Sequence, residues 1–320
     1  KDYTGSYGTN GFHLEFAGNA NDSSGNGNNW TANNIVAGDY VEDSPTNNFA
    51  TLNSAFVYGG ALSDGNLKHT SSGQWVGVPS TIAMSSGKWY AEYRAVDASN
   101  MMIGIITTTG DNSTKLATAN QGYPGKTADG YGWINNANKI NNDVSTSYGS
   151  SPSNGDVIMI AYDADNGELY TGKNGTWFNS SNPATSTSPM FSSIPTAPDY
   201  YFVISNEYAN GYMNFGQDST FGGGLSANNN SDANGRGDFR YSVPSGYLAL
   251  CSENLTIAEG IDPNAANSPQ DYFSVKLYSG NGGTQSITGV GFEPSITWIK
   301  SRNHGHNPEL YQAVEGATRM

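Results

Sequence analysis

The chain holds one cysteine, Cys251, in 320 residues. A single thiol makes no intramolecular disulfide and no four-cysteine zinc site, so this is not a disulfide-stapled secreted domain. Its neighbours Tyr247-Leu-Ala-Leu250 are apolar, which predicts a buried structural thiol. Charge is also scarce. Only 13% of residues are charged, too few for a soluble helical protein. Cations are scarcer still, with 14 Lys and Arg against 28 Asp and Glu, for a formal net charge of −14. That sign repels phosphate backbones and anionic lipid, so nucleic acid and membrane surfaces are not expected partners. No apolar run approaches the ~20 residues of a membrane span, no secretory signal pattern is present, and membrane insertion is not expected.

What is abundant is glycine, asparagine, serine and threonine, together with tyrosine: 40 Gly and 20 Tyr. Helix interiors disfavour the first four, which serve turns and strand edges, and tyrosine favours strands. The composition predicts an all-β chain, and its length allows one large or two modest domains. Gly11-Phe-His-Leu-Glu-Phe16 alternates with period two and is expected as a strand. Strand signals become dense between Leu62 and Gln217. Lys88–Val96 alternates, Met101–Ile106 and Val157–Ala161 are continuous apolar runs of buried-strand length, and Tyr200–Ile204 and Gly211–Phe215 make a further pair. Asp165-Asn-Gly167 and Lys173-Asn-Gly175 have the chemistry of tight hairpin turns, because Asn and Gly tolerate positive φ. Short strands at this spacing predict a β-sandwich. Phe221–Gly237 reads as a linker with too little apolar surface to pack, and Ile257–Gln270 as a second one. Tyr272–Tyr278, Thr284–Thr288 and Ser295–Lys300 read as three strands, too few for an independent core.

Ser86-Gly-Lys-Trp-Tyr-Ala-Glu92, Gly104-Ile105, Gly130-Tyr-Gly-Trp133, the stretch Gly155–Trp177 and Met213-Asn-Phe-Gly216, in this order, resemble the SPRY domain. The resemblance implies a concanavalin A-like, jelly-roll-type β-sandwich over residues 62–220. The flanks add a context. Asp22–Asn34 and Asp43–Asn48 resemble the leader that precedes this sandwich in bacteriophage virion proteins, those of marine phages especially. Pro244–Leu255 resembles the segment that follows it there, and Tyr278–Arg302 the start of another domain in the same proteins. Thr297 and Glu315 stand where that pattern has an apolar residue and Arg, so the last segment reads as a divergent copy. The implied organisation is a leader, 1–61, packed on the sandwich; a linker and extended segment, 221–270; and the start of a second small β domain, 271–320, incomplete and expected to continue past Met320.

Asp163-Ala-Asp-Asn-Gly-Glu168 begins like a calcium loop but lacks the later ligands, so Asp163 and Asp165 are expected at a polar hairpin tip, with a weak cation site as the alternative. His304 and His306, at i and i+2, can put both rings on one side of an extended segment. Around a three-fold axis such pairs suit an octahedral metal, although an ordinary polar loop is the expectation. No cofactor is expected. Arg236-Gly-Asp238 is read as a chance tripeptide. Catalysis lacks support: there is no Glu-x-Asp-x-x-Glu strand, no Gly-x-Ser-x-Gly elbow, no metalloprotease helix and no phosphate loop, and Glu92 stands alone on its strand.

Binding remains. Sugars are held by aromatic platforms with amide and carboxylate groups on loops. The loop-proximal aromatics are Trp75, Tyr123, Trp133, Tyr148 and Trp177, with Asn135, Asn136, Asn141 and Asp143 as polar partners; Trp133 and Trp177 also match positions that pack inside such sandwiches. The expected role is a phage virion surface protein, part of a tail fibre or spike. It would be assembled in the bacterial host cytoplasm and adsorb to a host-surface polysaccharide or lipopolysaccharide. Alternatives are a structural capsid decoration or fibre spacer that binds other virion proteins, and a glycan-depolymerising tailspike. A homotrimer is the expectation from fibre proteins generally, without coiled-coil heptads in this sequence.

Overall fold

The computed structural model describes residues 5–15, 19–35, 39–44, 47–71, 73–255 and 271–312. They fall into two units, Lys1–Leu255 and Thr256–Met320. The first contains β1 (Ala61–Ser63), β2 (Lys68–Thr70), β3 (Val76–Pro79), β4 (Lys88–Ala95), β5 (Met101–Ile106), β6 (Gly130–Ile134), β7 (Asn138–Asn141) and β8 (Val144–Ser147). It continues with β9 (Val157–Asp163), β10 (Glu168–Lys173), β11 (Thr176–Trp177), β12 (Tyr201–Asn206), β13 (Asn210–Asn214) and β14 (Leu248–Ala249). These strands build two sheets. One runs β1-β2-β13-β4-β9-β10-β11, with β14 also on β4; the other runs β3-β12-β5-β6-β7-β8. Every pairing is antiparallel except β14 on β4. This is the expected β-sandwich.

Alternation explains the main core. Trp89, Ala91 and Tyr93 of β4 and Ile158, Ile160 and Tyr162 of β9 point inward to meet Ile103 and Ile105 of β5 and Phe202 and Ile204 of β12. The other side of the first sheet is covered too. Tyr90, Met159, Ala161 and Tyr170 pack against Phe49, Phe239, Tyr247, Ala249 and Cys251 in a second core. A strand buried on both faces needs apolar residues at successive positions, which is why Val157–Ala161 reads as a continuous run.

That second core corrects the reading of 221–255 as linker and extended segment. Phe221 and Phe239 are buried, and the loop is closed by side chains rather than by bulk hydrophobicity. Asp232 accepts hydrogen bonds from the backbone N–H groups of Asn234, Arg236 and Ala249, and Asp238 from those of Ser219 and Asn229. Polar composition marks a segment that cannot drive collapse alone, but one with its own carboxylate hubs can still be laid onto an existing sheet. Cys251 is fully buried there, as expected. Residues 257–270 lie outside the described residues.

Three strand expectations also fail. Gly11–Glu15 makes only a single bridge, Leu14 to Asp22. The Asp22 carboxylate organises this stretch, accepting the backbone N–H of His13, Ser24 and Asn28 and the Ser24 hydroxyl, and Phe12 stays exposed, edge-on to Trp30. Of the leader, the stretch around Phe49–Leu52 packs on the sandwich, bridging Cys251 and Ser80. In the second unit, Tyr272–Tyr278 and Thr284–Thr288 belong to no sheet. Among the described residues of this unit, β15 (Ile296–Ile299) pairs with β16 (Glu309–Gln312).

Candidate functional site

Loops between strands of the second sheet bring together part of the expected platform. Asn142-Asp143 joins β7 to β8 as a two-residue turn, both residues at positive φ (50° and 58°), the geometry that matches strand twist. The Asp143 carboxylate thereby reaches Tyr123 and Lys126. One oxygen accepts the Tyr123 hydroxyl at 2.9 Å and the other the Lys126 ammonium at 2.6 Å. The loop carrying Tyr123 lies against β3, where both Gly77 and Gly122 are required: a Cβ on Gly77 would strike the Gly122 carbonyl. This close approach sets Tyr123 edge-on to Trp75, ring centroids 6.3 Å apart, and the Trp75 backbone N–H donates to the Asn120 side-chain oxygen. Trp75 and Tyr123 are half-buried and Asp143 is exposed.

The charges are complementary. The Lys126 hydrogen bond holds the Asp143 carboxyl below its ordinary value, and Asp143 in turn raises Lys126. Burial, then the hydrogen bond to Asp143, raises the Tyr123 phenol. At neutral pH the patch therefore presents two aromatic rings, one carboxylate and one ammonium. It can stack an apolar ring face and accept and donate hydrogen bonds at its edge. Lys126 and Asn120 were not among the sequence candidates; only their loop position beside Tyr123 could have suggested them.

The other candidates are elsewhere. Trp133 is a core residue, with its side chain fully buried, its indole N–H donating to the Tyr148 carbonyl and its ring against Phe178. It pairs with Ile103 across β6 and β5, on the core-facing side. Tyr148 is buried edge-on to the same Phe178. Neither can touch a ligand. Trp177 lies on β11 at the edge of the first sheet and packs against Tyr90 of the second core. Asn135 and Asn136 occupy the β6–β7 loop, at the opposite end of β7 from Asp143, where Asn135 donates to the Ser99 carbonyl. Asn141 is spent on structure, donating to the Thr127, Ala128 and Gly130 carbonyls.

Asp163 and Asp165 form a bend tied to a neighbouring loop. Asp163 accepts the N–H groups of Asp165 and Asn166, the Asn166 side chain and Lys88; Asp165 accepts the Gly87 N–H. Four donors thus occupy the Asp163 carboxylate, while the exposed Asp165 holds the neighbouring loop through one oxygen. His304 and His306 have ring centroids 5.8 Å apart, but no third ligand joins them; the described residues hold no cluster of three metal-ligating side chains. A cavity of about 250 Å³ is lined by Asp43, Asp64, Asp218 and Tyr212. Its carboxylates too are internally engaged: Asp43 by the Phe49 N–H, Asp64 by the Tyr212 hydroxyl and Asp218 by the Thr220 and Gly222 N–H groups.

The most unusual carboxylate is Glu92, fully buried on β4 at the gap between β13 and β14. It accepts from the Arg240 and Tyr241 N–H groups at 2.8 Å each, the Tyr90 hydroxyl at 2.9 Å and the Asn214 amide at 3.4 Å. Burial pushes its pKa up to about 7 against those stabilising donors. With four donors on its two oxygens and no solvent access it clasps the stretch that carries Arg240 and Tyr241.

Among the described residues no helix is long and apolar enough to cross a membrane. The family model of the SPRY domain matches residues 88–218, and a domain of unknown function, DUF7483, matches residues 268–320. The SPRY match begins at β4, so β1, β2 and β3 precede it and complete both sheets. No curated protein matches the chain.

Proposed function

We propose that this SPRY-containing chain is a bacteriophage virion surface protein, a tail-fibre or spike component, whose sandwich adsorbs reversibly to a host-surface polysaccharide or lipopolysaccharide. The virion setting is supported by the likeness of the leader and of the segments after the sandwich to phage virion proteins. The glycan reading rests on one observation: the half-buried Trp75–Tyr123 pair with the Asp143–Lys126 couple at its edge. A sugar's apolar face stacks on the rings while its hydroxyls donate to Asp143 and accept from Lys126. Such a site is shallow and weak alone, and several copies on one particle raise avidity by roughly 10² to 10⁴. No step of bond cleavage is assigned, because the patch has one carboxylate and glycoside hydrolysis uses two.

The test is binding of the protein, displayed in several copies, to a panel of bacterial surface glycans. Saturable binding to a few related sugars, lost in Trp75→Ala and Tyr123→Ala but retained in Trp177→Ala, is the expected result. No binding at any display density overturns the adhesin reading and leaves the sandwich as a virion building block.

A further inference from the structure

Eight Asn-Gly steps occur in the chain, all within the described residues. Such a step can modify itself. The glycine nitrogen is placed to close a five-membered ring on the asparagine side-chain carbon, and glycine has no Cβ to obstruct the approach. The reaction needs the backbone N–H free of a partner, the carboxamide free to swing onto it and the amide nitrogen free to leave. A hydrogen bond on any of these must open first, and the rate then scales with the fraction of time it is open.

The fold holds seven of the eight back. Asn174 is clamped at both ends of its carboxamide: the oxygen accepts the Val157 N–H at 2.9 Å and the nitrogen donates to Asp156 at 2.7 Å. The Asn166 side-chain nitrogen donates to Asp163, and that of Asn26 to the Gly8 and Gly11 carbonyls. Asn234 donates to the Asn254 side chain, while the Gly235 N–H is on the Asp232 carbonyl. Asn154 accepts the Ala98 N–H, and the Gly155 N–H after it donates to the Ala95 carbonyl. At Asn10 the attacking group itself is engaged, because the Gly11 N–H donates to the Gly8 carbonyl. Asn210 and Gly211 lie inside β13, held extended between β2 and β4.

The step from Asn281 to Gly282 differs on every count. Both residues are exposed. Among the described residues, the Gly282 N–H and the Asn281 side-chain nitrogen have no hydrogen-bond partner. The contact that Asn281 does make favours the reaction: its side-chain oxygen accepts the Gly283 N–H at 2.9 Å. That bond folds the carboxamide back along the main chain toward the Gly282 nitrogen, and it draws electron density from the carbon under attack.

We propose that Asn281 is a site of spontaneous covalent modification, a deamidation and isomerisation that the fold directs to this one asparagine. The Gly282 nitrogen attacks Cγ of Asn281 and the new C–N bond closes a succinimide. The Cγ–Nδ2 bond breaks, and the amide nitrogen leaves as ammonia with the proton that Gly282 gives up. Water then opens the ring at either carbonyl. One opening leaves an aspartate at position 281; the other leaves an isoaspartate, which reroutes the main chain through the side chain. Either product adds one negative charge to residues 271–312, whose Lys276, Lys300 and Arg302 otherwise balance Asp271, Glu293 and Glu309. The isoaspartate also lengthens the backbone by one carbon between Tyr272–Tyr278 and Thr284–Thr288. The inference is independent of the glycan reading.

The full chain, held in mildly alkaline buffer at physiological temperature and sampled over time, is digested and mapped by mass spectrometry. The expected result is conversion at position 281 at least about tenfold faster than at any of the other seven asparagines, the advantage expected where one hydrogen bond need not be opened. Isoaspartate should accompany aspartate there, as ring opening requires. Asn281→Gln should remove the fast product, and Gly282→Ala should slow it through the added Cβ. Because position 281 is exposed, neither variant should change the melting of the sandwich. The same mapping on the chain unfolded in urea separates fold from dipeptide: there the eight rates should converge. Conversion at position 281 no faster than at Asn174 in the folded chain overturns the proposal. So does a rate order that is the same folded and unfolded, since the selectivity would then belong to neighbouring residues and not to the structure.

Discussion

At the scale of single residues, carboxylates do most of the positioning. Glu92 is the clearest case: four donors converge on it, and two of them, the Arg240 and Tyr241 backbone N–H groups, cannot act as acceptors for an added N–H. Glu92→Gln keeps the volume but turns an amide N–H₂ toward backbone donors, and should cost about 2 kcal/mol in urea unfolding at pH 5. The pH dependence has a definite sign. Folded, Glu92 titrates near 7; its ordinary value is 4.5. Between those values the folded state holds a proton that the unfolded state has released, so this contribution to stability is full below pH 4.5 and declines as pH rises to 7. The stability gap between wild type and Glu92→Gln should therefore narrow from pH 5 to pH 8. A gap that stays constant over that range would show that the carboxylate is ionised in the fold throughout. From sequence, Glu92 was one acidic residue in an alternating strand. Nothing in its neighbours reveals that residues 148 positions later bring their N–H groups to it.

Turns and strands are the scale at which the sequence was most legible, and the reason is local chemistry. Asn174-Gly175 forms a two-residue turn, with Lys173 opposite Thr176 and both turn residues at positive φ. Gly175→Ala adds strain at φ 82° and brings a Cβ against the Tyr241 ring, and should cost about 1 kcal/mol. Asp165-Asn-Gly167, by contrast, sits in a four-residue loop between Asp163 and Glu168. The same dipeptide serves both because its glycine, Gly167 in one and Gly175 in the other, supplies the needed left-handed residue. Asn142-Asp143 escaped notice as a turn because it lacks glycine, yet it places the carboxylate of the candidate site. Asp143→Gly separates the two roles. Positive φ suits glycine, so thermal stability should hold, while binding to the glycan identified in the panel should fall about 10-fold through loss of a charged hydrogen-bonding group. Trp133 and Tyr148 illustrate the limit: sequence placed them near loops, and only the inter-sheet packing decides that they face Phe178 rather than solvent.

For the molecule as a whole, residues 221–255 belong to the sandwich. They supply Phe239, Tyr247, Ala249 and Cys251 to the second core. A chain ending at Leu255 should melt within about 2 °C of the full-length protein. One ending at Thr220 would expose Tyr90, Met159 and Tyr170 and should be lower by several kcal/mol on area grounds. Equal melting of the two truncations would mean that the second core adds nothing. Sequence composition misjudged this segment because its apolar residues are sparse and far apart; they contribute only where a prepared surface meets each one.

Cys251 sits at the centre of that surface, with no water contact. Its thiol, raised further by burial, reacts with an alkylating reagent only when the covering segment lifts. With opening faster than chemistry, the labelling rate is the rate of the free thiol multiplied by the fraction of time the segment is open. The lone cysteine thus makes the protein its own clock. A single mass measurement over time gives the local opening free energy of the segment at native conditions, separately from global unfolding and without a fluorophore or an introduced residue.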